Sequence, residues 1–454
     1  MNKKIDHFPN ISSCNIAILG LGYVGLPLAL EFSKSKEKNC STDKGKVLGF
    51  DIDINRINQL NNSNDVTCEV EKNQLLQKRH LEFTSEKDLL KNCDVFIVTV
   101  PTPLTENNQP DFSALINASE IIGKALKEGS SKRNKIPFVI FESTVYPGAT
   151  EEICLPILCQ FSGMNLYATK KENSFGLGYS PERVNPGDIK NKLADIMKVT
   201  SGCCEETSLW IDNLYKTIIK AGTYRAKSII IAEASKVIEN VQRDINIAIV
   251  NEFALIFNKL SIDTLDVLEA AQTKWNFLKF RPGLVGGHCI GVDPYYLTYK
   301  SKQIGYYPDL ISSSRRLNNG MGIWLSEQVI IEIVKRSLLI KDVKILMLGI
   351  SFKENCPDIR NSKVFDIYNA LRKYNLLVDI YDPIVEKTKV SNNYNINLIS
   401  NLEKDKKYDV VILCVAHDLF KNFKEKDWIS LLSKNGFIFD IKGIVPRTLN
   451  PIRI

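Results

Sequence analysis

Cys289 stands in the run Gly286-Gly287-His288-Cys289-Ile290-Gly291-Val292-Asp293-Pro294-Tyr295-Tyr296. Far upstream lies a glycine fingerprint, Gly20-Leu21-Gly22-Tyr23-Val24-Gly25. Each signal alone is modest: the glycines suggest that a nucleotide binds, and an isolated cysteine is ordinarily a small buried apolar residue. Together they say more. Taking an alcohol past the aldehyde requires a group that adds to the aldehyde, and a thiolate is the best nucleophile a chain carries at neutral pH. Gly286 and Gly287 give Cys289 backbone freedom, and His288 and Asp293 supply polar neighbours. The pair predicts a nicotinamide-dependent oxidation of an alcohol to an acid.

Gly20-x-Gly22-x-x-Gly25 follows an apolar strand pattern and opens a helical one, the context that gives this pattern its meaning. The glycines allow the tight turn and let a pyrophosphate approach the N–H groups of the helix N-terminus. Asp51 ends the next strand pattern, placed to accept from ribose hydroxyls and to repel a 2′-phosphate, so NAD is expected over NADP. The step from Gly25 to Asp51 exceeds the usual ~20 residues; the polar run Ser33 to Gly45 reads as the insertion. Val100-Pro101-Thr102-Pro103 and Glu142-Ser143-Thr144-Val145-Tyr146-Pro147-Gly148 each end a strand pattern. Ligands of open α/β sheets bind beyond the carboxyl ends of strands, which places Thr102 and Thr144 by the cofactor. Without the fingerprint both segments would be plain proline turns. Tyr179 to Gly187 is a rigid loop carrying Glu182 and Arg183.

The elements that position these groups follow from periodicity. Asn15–Leu19, Lys46–Phe50, Asp94–Val100 and Phe138–Phe141 read as buried strands with amphipathic helices such as Phe112–Leu126 between them, an alternation that predicts a doubly wound parallel sheet. Ile229–Leu260 has no Gly or Pro and reads as one long helix. On it Lys236, Asn240 and Arg243 share a face opposite the apolar Ile230, Ala234, Val237, Val241 and Ile245. A polar stripe is ordinarily solvated, but an ammonium, an amide and a guanidinium on a helix joining two domains are expected to converge on the cleft between them. Asp309–Leu339 reads as a second helix. Val343–Leu348, Leu377–Tyr381, Val410–Val415 and Phe437–Asp440 then return to strand, and Ser351-Phe352-Lys353-Glu354 with Asp358-Ile359-Arg360 suggest a second nucleotide or phosphate loop. The expected class is α/β, two Rossmann-like doubly wound domains joined by a central long-helix domain, divided as 1–203, 204–322 and 323–454.

Composition narrows the function. The chain has 454 residues, 59 Lys and Arg against 52 Asp and Glu, and a net charge of +7. That mild excess, with lysines grouped at Lys34–Lys46 and Lys404–Lys426, looks like solvated surface, and a nucleic-acid footprint would need a focused basic patch. Eleven cysteines without a Cys-x-x-Cys pair, and only four histidines, write neither a disulfide framework nor a metal site. The polar start and the lack of an apolar run near the ~20 residues that cross a bilayer suggest a reduced, cytoplasmic protein.

These segments resemble the UDP-glucose/GDP-mannose dehydrogenase family over nearly the whole chain. TKWNFLKFRPGLVGGHCIGVDPYYLTYKSKQIGYYPD, GTYRAKSIIIAEASKVIENVQRDINIAIVNE, YSPERVNPGD and FKENCPDIRNS are similar to its Vi-antigen-type, UDP-N-acetylglucosamine-oxidising subgroup. The resemblance implies an NAD domain, a central helical domain making a dimer, and a C-terminal domain holding UDP. It assigns Gly20, Gly22, Tyr23, Val24, Gly25, Asp51, Arg56, Thr102 and Thr144 to the cofactor. Arg183, Val184, Lys236, Asn240, Arg243, Gly283 and Lys353 fall to the nucleotide sugar, with Arg360 an added candidate for its diphosphate. Cys289 matches the nucleophile and Lys236 the proton donor and acceptor. Family members also take a contact from the neighbouring subunit near the start of Lys274–Arg281.

The expected reaction is a four-electron oxidation at C6 of a UDP-N-acetylhexosamine. Lys236, or a water held by Asp293, takes the hydroxyl proton as the first hydride leaves; Cys289 adds to the aldehyde; loss of a second hydride turns the thiohemiacetal into a thioester; and water activated by Glu182 or Asp293 releases the acid, with one NAD expected to accept each hydride. Lys236 and Asn240 stabilise the oxyanions. Arg243, Lys353 and Arg360 suit the diphosphate. Two other readings stay open: a two-electron dehydrogenase with a structural Cys289, and a nucleotide-sugar-binding regulator without turnover. Among four-electron enzymes, UDP-N-acetylgalactosamine or UDP-glucose is the alternative substrate.

Overall fold

The computed structural model describes residues 7–38, 45–67, 69–184, 192–403 and 405–454. Asn185, Pro186 and Gly187 of the Tyr179 loop, the middle of the Ser33–Gly45 insertion and Lys404 lie outside them. The chain divides into two compact units, Met1–Glu239 with Tyr295–Ile304, and Asn240–Pro294 with Gly305–Ile454.

The first unit is built on a sheet of β1 (Ile16–Leu19), β2 (Val47–Phe50), β3 (Leu81–Thr84), β4 (Val95–Val98), β5 (Phe138–Phe141), β6 (Asn165–Leu166), β7 (Ser174–Tyr179), β8 (Lys198–Gly202) and β9 (Thr223–Arg225). Its order is β3-β2-β1-β4-β5-β7-β8-β9, with β6 beside β7. β3 to β7 along that order run parallel, and β8 pairs antiparallel with β7. β1, β2, β4 and β5 are apolar and buried at every position, as strands covered on both faces must be. The order reverses between β1 and β4, so the loops leaving them diverge and open the crevice where such sheets bind ligands. Helix α1 (Gly25–Lys38) follows β1. It corrects one expectation: Lys36 is not solvated but 2% exposed, its ammonium donating to the carbonyls of Ile11 and Cys14 at 2.7 and 2.8 Å.

α2 (Ile229–Leu260) has the expected bounds. The solvated-stripe alternative fails for two of its three polar residues, since Lys236 and Asn240 are 5% and 6% exposed, whereas Arg243 is exposed. α3 (Asp293–Gln303) starts on a site candidate, and α4 (Asp309–Lys335) is shorter than its apolar pattern. Ser337 takes a left-handed φ of 57°, which stops the helix before Leu339. The second unit's sheet comprises β10 (Lys344–Leu348), β11 (Leu377–Tyr381), β12 (Tyr408–Leu413), β13 (Leu432–Asp440) and β14 (Ile452–Arg453), all parallel in the order β11-β10-β12-β13-β14. This is the other common doubly wound order, and it too reverses beside its first strand, β10. Both sheets thus match the expected class. Among the described residues no helix is long and apolar enough to cross a membrane.

Candidate active site

The glycines of the first loop do different work. Gly20 turns with φ 93°, a conformation a side chain resists. A Cβ on Gly25 would meet the Gly20 carbonyl at 1.9 Å and the Thr99 hydroxyl at 2.4 Å, so this glycine lets α1 start against β1 and β4. A Cβ on Gly22 would meet nothing within 4 Å. Gly22, Tyr23 and Val24 are partly exposed just before α1, leaving open space before its first N–H groups. Asp51 follows β2 and accepts from Leu21 N–H at 2.8 Å and Asp53 N–H at 3.0 Å, so it braces the loop while remaining partly exposed. Arg56 is committed: it donates to the Leu21 carbonyl at 2.9 Å and pairs with Asp65 at 2.9 Å, its side chain 9% exposed. Beyond β4 and β5, the Thr102 hydroxyl donates to the Thr144 carbonyl at 2.8 Å, and Tyr296 donates to the Thr102 carbonyl at 2.7 Å. Turn, open approach, helix N-terminus and carboxylate fit a dinucleotide.

Further along the same unit, a buried ionic set underlies the Pro181–Val184 loop. Lys198, 3% exposed, pairs with Glu142 at 2.5 Å and donates to the Pro181 carbonyl at 3.0 Å; Tyr215 donates to the other Glu142 oxygen. Glu182 accepts from the Val184 N–H and lies 3.9 Å from the Lys236 ammonium. Burial pushes the Glu182 carboxyl above the usual range, opposed by Lys236 and Lys198. Arg183 is paired with Glu239 at 2.7 Å, and Val184 packs against the first core. One turn before Lys236, Glu233 is fully buried and accepts from Gly148 N–H at 2.5 Å and Thr150 N–H at 2.9 Å.

The second unit gathers the thiol and its partners. The Asn240 amide donates to Asp293 at 2.5 Å, and Asp293, 1% exposed, donates its backbone N–H to the Cys289 carbonyl at 2.9 Å. Cys289 itself is partly exposed. The loop before it is pressed close: a Cβ on Gly287, at φ 80°, would meet the Phe352 ring at 2.7 Å, and one on Gly286 the Asn361 carbonyl at 2.5 Å. Asn251 clasps Gly283 from both sides, accepting its N–H at 2.7 Å and donating to its carbonyl at 3.0 Å. His288 stands 3.5 Å from Asp358, which also holds Arg360 at 2.6 Å. Lys353 lies in the loop after β10. Arg243 is exposed on α2 and none of the described contacts ties it to these groups.

Sequence reasoning missed Glu142's role, Lys198, Tyr215, Glu233 and Asn251. Glu142 and Glu233 fell inside quoted segments, but their partners lie 56 and 85 positions away, and no local pattern joins them.

A dinucleotide loop and Lys236 in the first unit, and in the second Asn240 bound to the buried Asp293 that follows the Cys289 loop, are the features of an NAD-dependent dehydrogenase. Family models agree: residues 14–219 match the UDP-glucose/GDP-mannose dehydrogenase family NAD binding domain, 231–320 its central domain and 346–447 its UDP binding domain. The chain belongs to that family. It is 48% identical over 444 residues to the UDP-N-acetyl-D-glucosamine 6-dehydrogenase of Salmonella typhi, 98% of this chain and 99% of that protein. It is also 48% identical over 439 residues to the enzyme of the same name from Pseudomonas aeruginosa, 97% and 99% of the two chains. The solved UDP-D-ManNAc dehydrogenase of Pyrococcus horikoshii superposes with a TM-score of 0.83 at 28% identity, covering 97% of this chain and 98% of that one.

Proposed function

We propose that this protein oxidises C6 of UDP-N-acetyl-D-glucosamine to the uronic acid, for surface or capsular polysaccharide, through covalent attachment to Cys289. Near-full-length similarity to two enzymes named for that substrate carries the sugar assignment. UDP-N-acetylgalactosamine is the runner-up, because an inverted C4 hydroxyl is rejected strongly only where a buried polar group depends on it. NAD, when bound at Gly20–Gly25, Asp51, Thr102 and Thr144, is the hydride acceptor for alcohol and thiohemiacetal alike.

The chain's own groups do the rest. In its neutral form Lys236 is suited to take the hydroxyl proton, and Glu182, 3.9 Å from its nitrogen, to relay that proton onward. Asp293, tied to both Asn240 and the Cys289 backbone, fixes the thiol's loop and is placed to hold a water. The thiolate adds to the aldehyde carbon, and Lys236 and Asn240 donate to the oxyanion. Burial raises Glu182 toward the range of a general base, suiting it to draw a proton from the water that cleaves the thioester. Arg243, Lys353 and Arg360 are assigned to the diphosphate; Arg183 and Val184 border the sugar side, and Gly283 opens the loop. Each segment has a part: 1–203 for the cofactor, 204–322 for catalysis and self-association, 323–454 for UDP. The free cysteines support a reduced, cytoplasmic setting. The test is NADH formed per nucleotide sugar across UDP-glucose, UDP-N-acetylglucosamine, UDP-N-acetylgalactosamine and UDP-N-acetylmannosamine. Two NADH with UDP-N-acetylglucosamine best is expected; one NADH ends the covalent mechanism, and UDP-glucose best ends the sugar assignment.

A further inference from the structure

The second unit's sheet repeats the device that braces the first glycine loop. Gly20 turns with φ 93° and donates to the Phe50 carbonyl at 2.9 Å, and Asp51 accepts from Leu21 N–H at 2.8 Å. Gly349 turns with φ 87° and donates to the Tyr381 carbonyl at 2.8 Å, and Asp382 accepts from Ile350 N–H at 2.8 Å. The two carboxylates differ in what remains to them. Asp51 is partly exposed. Asp382 is 4% exposed, with Ile384 and Val385 N–H on one oxygen at 2.9 and 3.0 Å and the His417 ring 3.1 Å from the other. A carboxylate has about four lone-pair sites, so Asp382 has none left for a ribose.

His417 lies just beyond β12 and is fully buried. Its Nδ1 accepts the Asn355 N–H at 3.0 Å, so that nitrogen carries no proton and Nε2–H donates to Asp382. The Ser351 hydroxyl lies 3.4 Å from Nε2 and bonds the Lys353 carbonyl at 2.9 Å. The imidazole therefore ties the last residue of the loop Ser351–Asn355 to the carboxylate that braces its start, with Lys353 between.

We propose that His417 is a positioning residue for the nucleotide sugar: it latches the loop presenting Lys353 and uses up the acceptor that, in the first sheet, is available for a ribose. This rests on the assignment of Lys353 to the nucleotide sugar. His417→Ala should raise the KM for UDP-N-acetylglucosamine about tenfold, as loss of a buried hydrogen bond does. The KM for NAD should stay within about twofold, and hydrogen exchange at the Asn355 amide should accelerate. Asn places an acceptor oxygen where Nδ1 was, and Gln places an N–H where Nε2 was. His417→Asn should therefore restore the KM and slow exchange, and His417→Gln should restore neither, a contrast that survives if the alanine variant fails to fold. Unchanged KM and exchange, a parallel rise for both substrates, or rescue by Gln and not Asn would overturn the latch. A wild type that oxidises no UDP-N-acetylhexosamine sinks the substrate reading instead, and exchange at Asn355 still decides the latch.

Discussion

The thiol of Cys289 has one reaction to perform, addition to the aldehyde carbon, and its variants should separate that reaction from binding. Cys289→Ala is expected to abolish acid formation while nucleotide-sugar affinity changes little. Cys289→Ser can still add, but the ester it forms is a poorer acyl donor, so mass spectrometry after incubation with NAD and substrate should find protein heavier by one acyl group. Normal uronic-acid turnover by the alanine variant would leave Cys289 a packed thiol. Cofactor choice is also decided by single residues. Asp51 repels a 2′-phosphate, and Arg56 is poorly placed to compensate, because its Nε and Nη2 are bound to the Leu21 carbonyl and Asp65 and its Nη1 is buried. Steady-state kinetics should therefore favour NAD over NADP by 1.4 kcal/mol or more, about tenfold; equal efficiency would show that Arg56 swings free.

At the scale of elements, Glu233 joins α2 to the turn beyond β5, its carboxylate accepting the Gly148 and Thr150 N–H groups. Burial pushes it from the ordinary 4.5 up to about 7. The folded state therefore keeps a proton that the unfolded chain has released, and stability falls as pH rises through that window, levelling above about 7. The span is on the order of 3 kcal/mol. Glu233→Gln loses an acceptor at every pH but nothing ionises, so its denaturation midpoint should fall less than the wild type's from about pH 5 to about pH 8. Parallel curves would show that the carboxyl titrates normally. This linkage was not legible in the sequence, whereas the glycine loop, the long helix and the thiol loop were, because each is a local pattern of residue types at fixed spacing. β7 escaped notice for a related reason. Its Gly176 and Gly178 break the apolar run, yet each is required: a Cβ there would meet the Phe138 ring at 2.6 Å and Ile211 at 2.3 Å. Local pattern reports the element that makes it, and a close approach is recorded only in the partner.

For the whole molecule, what is left uncovered matters most. On the second half of α2, Ile249, Phe253, Ile256 and Leu260 are 42%, 36%, 47% and 60% exposed, and their spacing of four, three and four is that of a helix–helix seam. Trp275, 92% exposed, and Leu278 protrude from the nearby Lys274–Arg281 segment in the same unit. A lone exposed apolar residue needs no explanation, but a continuous stripe does. A second copy of the chain is the natural cover, since a two-fold axis sets identical stripes face to face. Sedimentation of the wild type should therefore show a homodimer or a larger even assembly. Phe253→Glu combined with Ile256→Glu removes about 1.5–3 kcal/mol of burial per side chain, and across both chains this should yield monomer at micromolar concentration. Because the family resemblance places a substrate contact from the neighbouring subunit near the start of Lys274–Arg281, the monomer should also bind nucleotide sugar more weakly while holding NAD as before. A wild type that sediments as a single chain would refute the seam. A monomeric variant with unaltered KM for the nucleotide sugar would keep the seam and confine the substrate site to one chain.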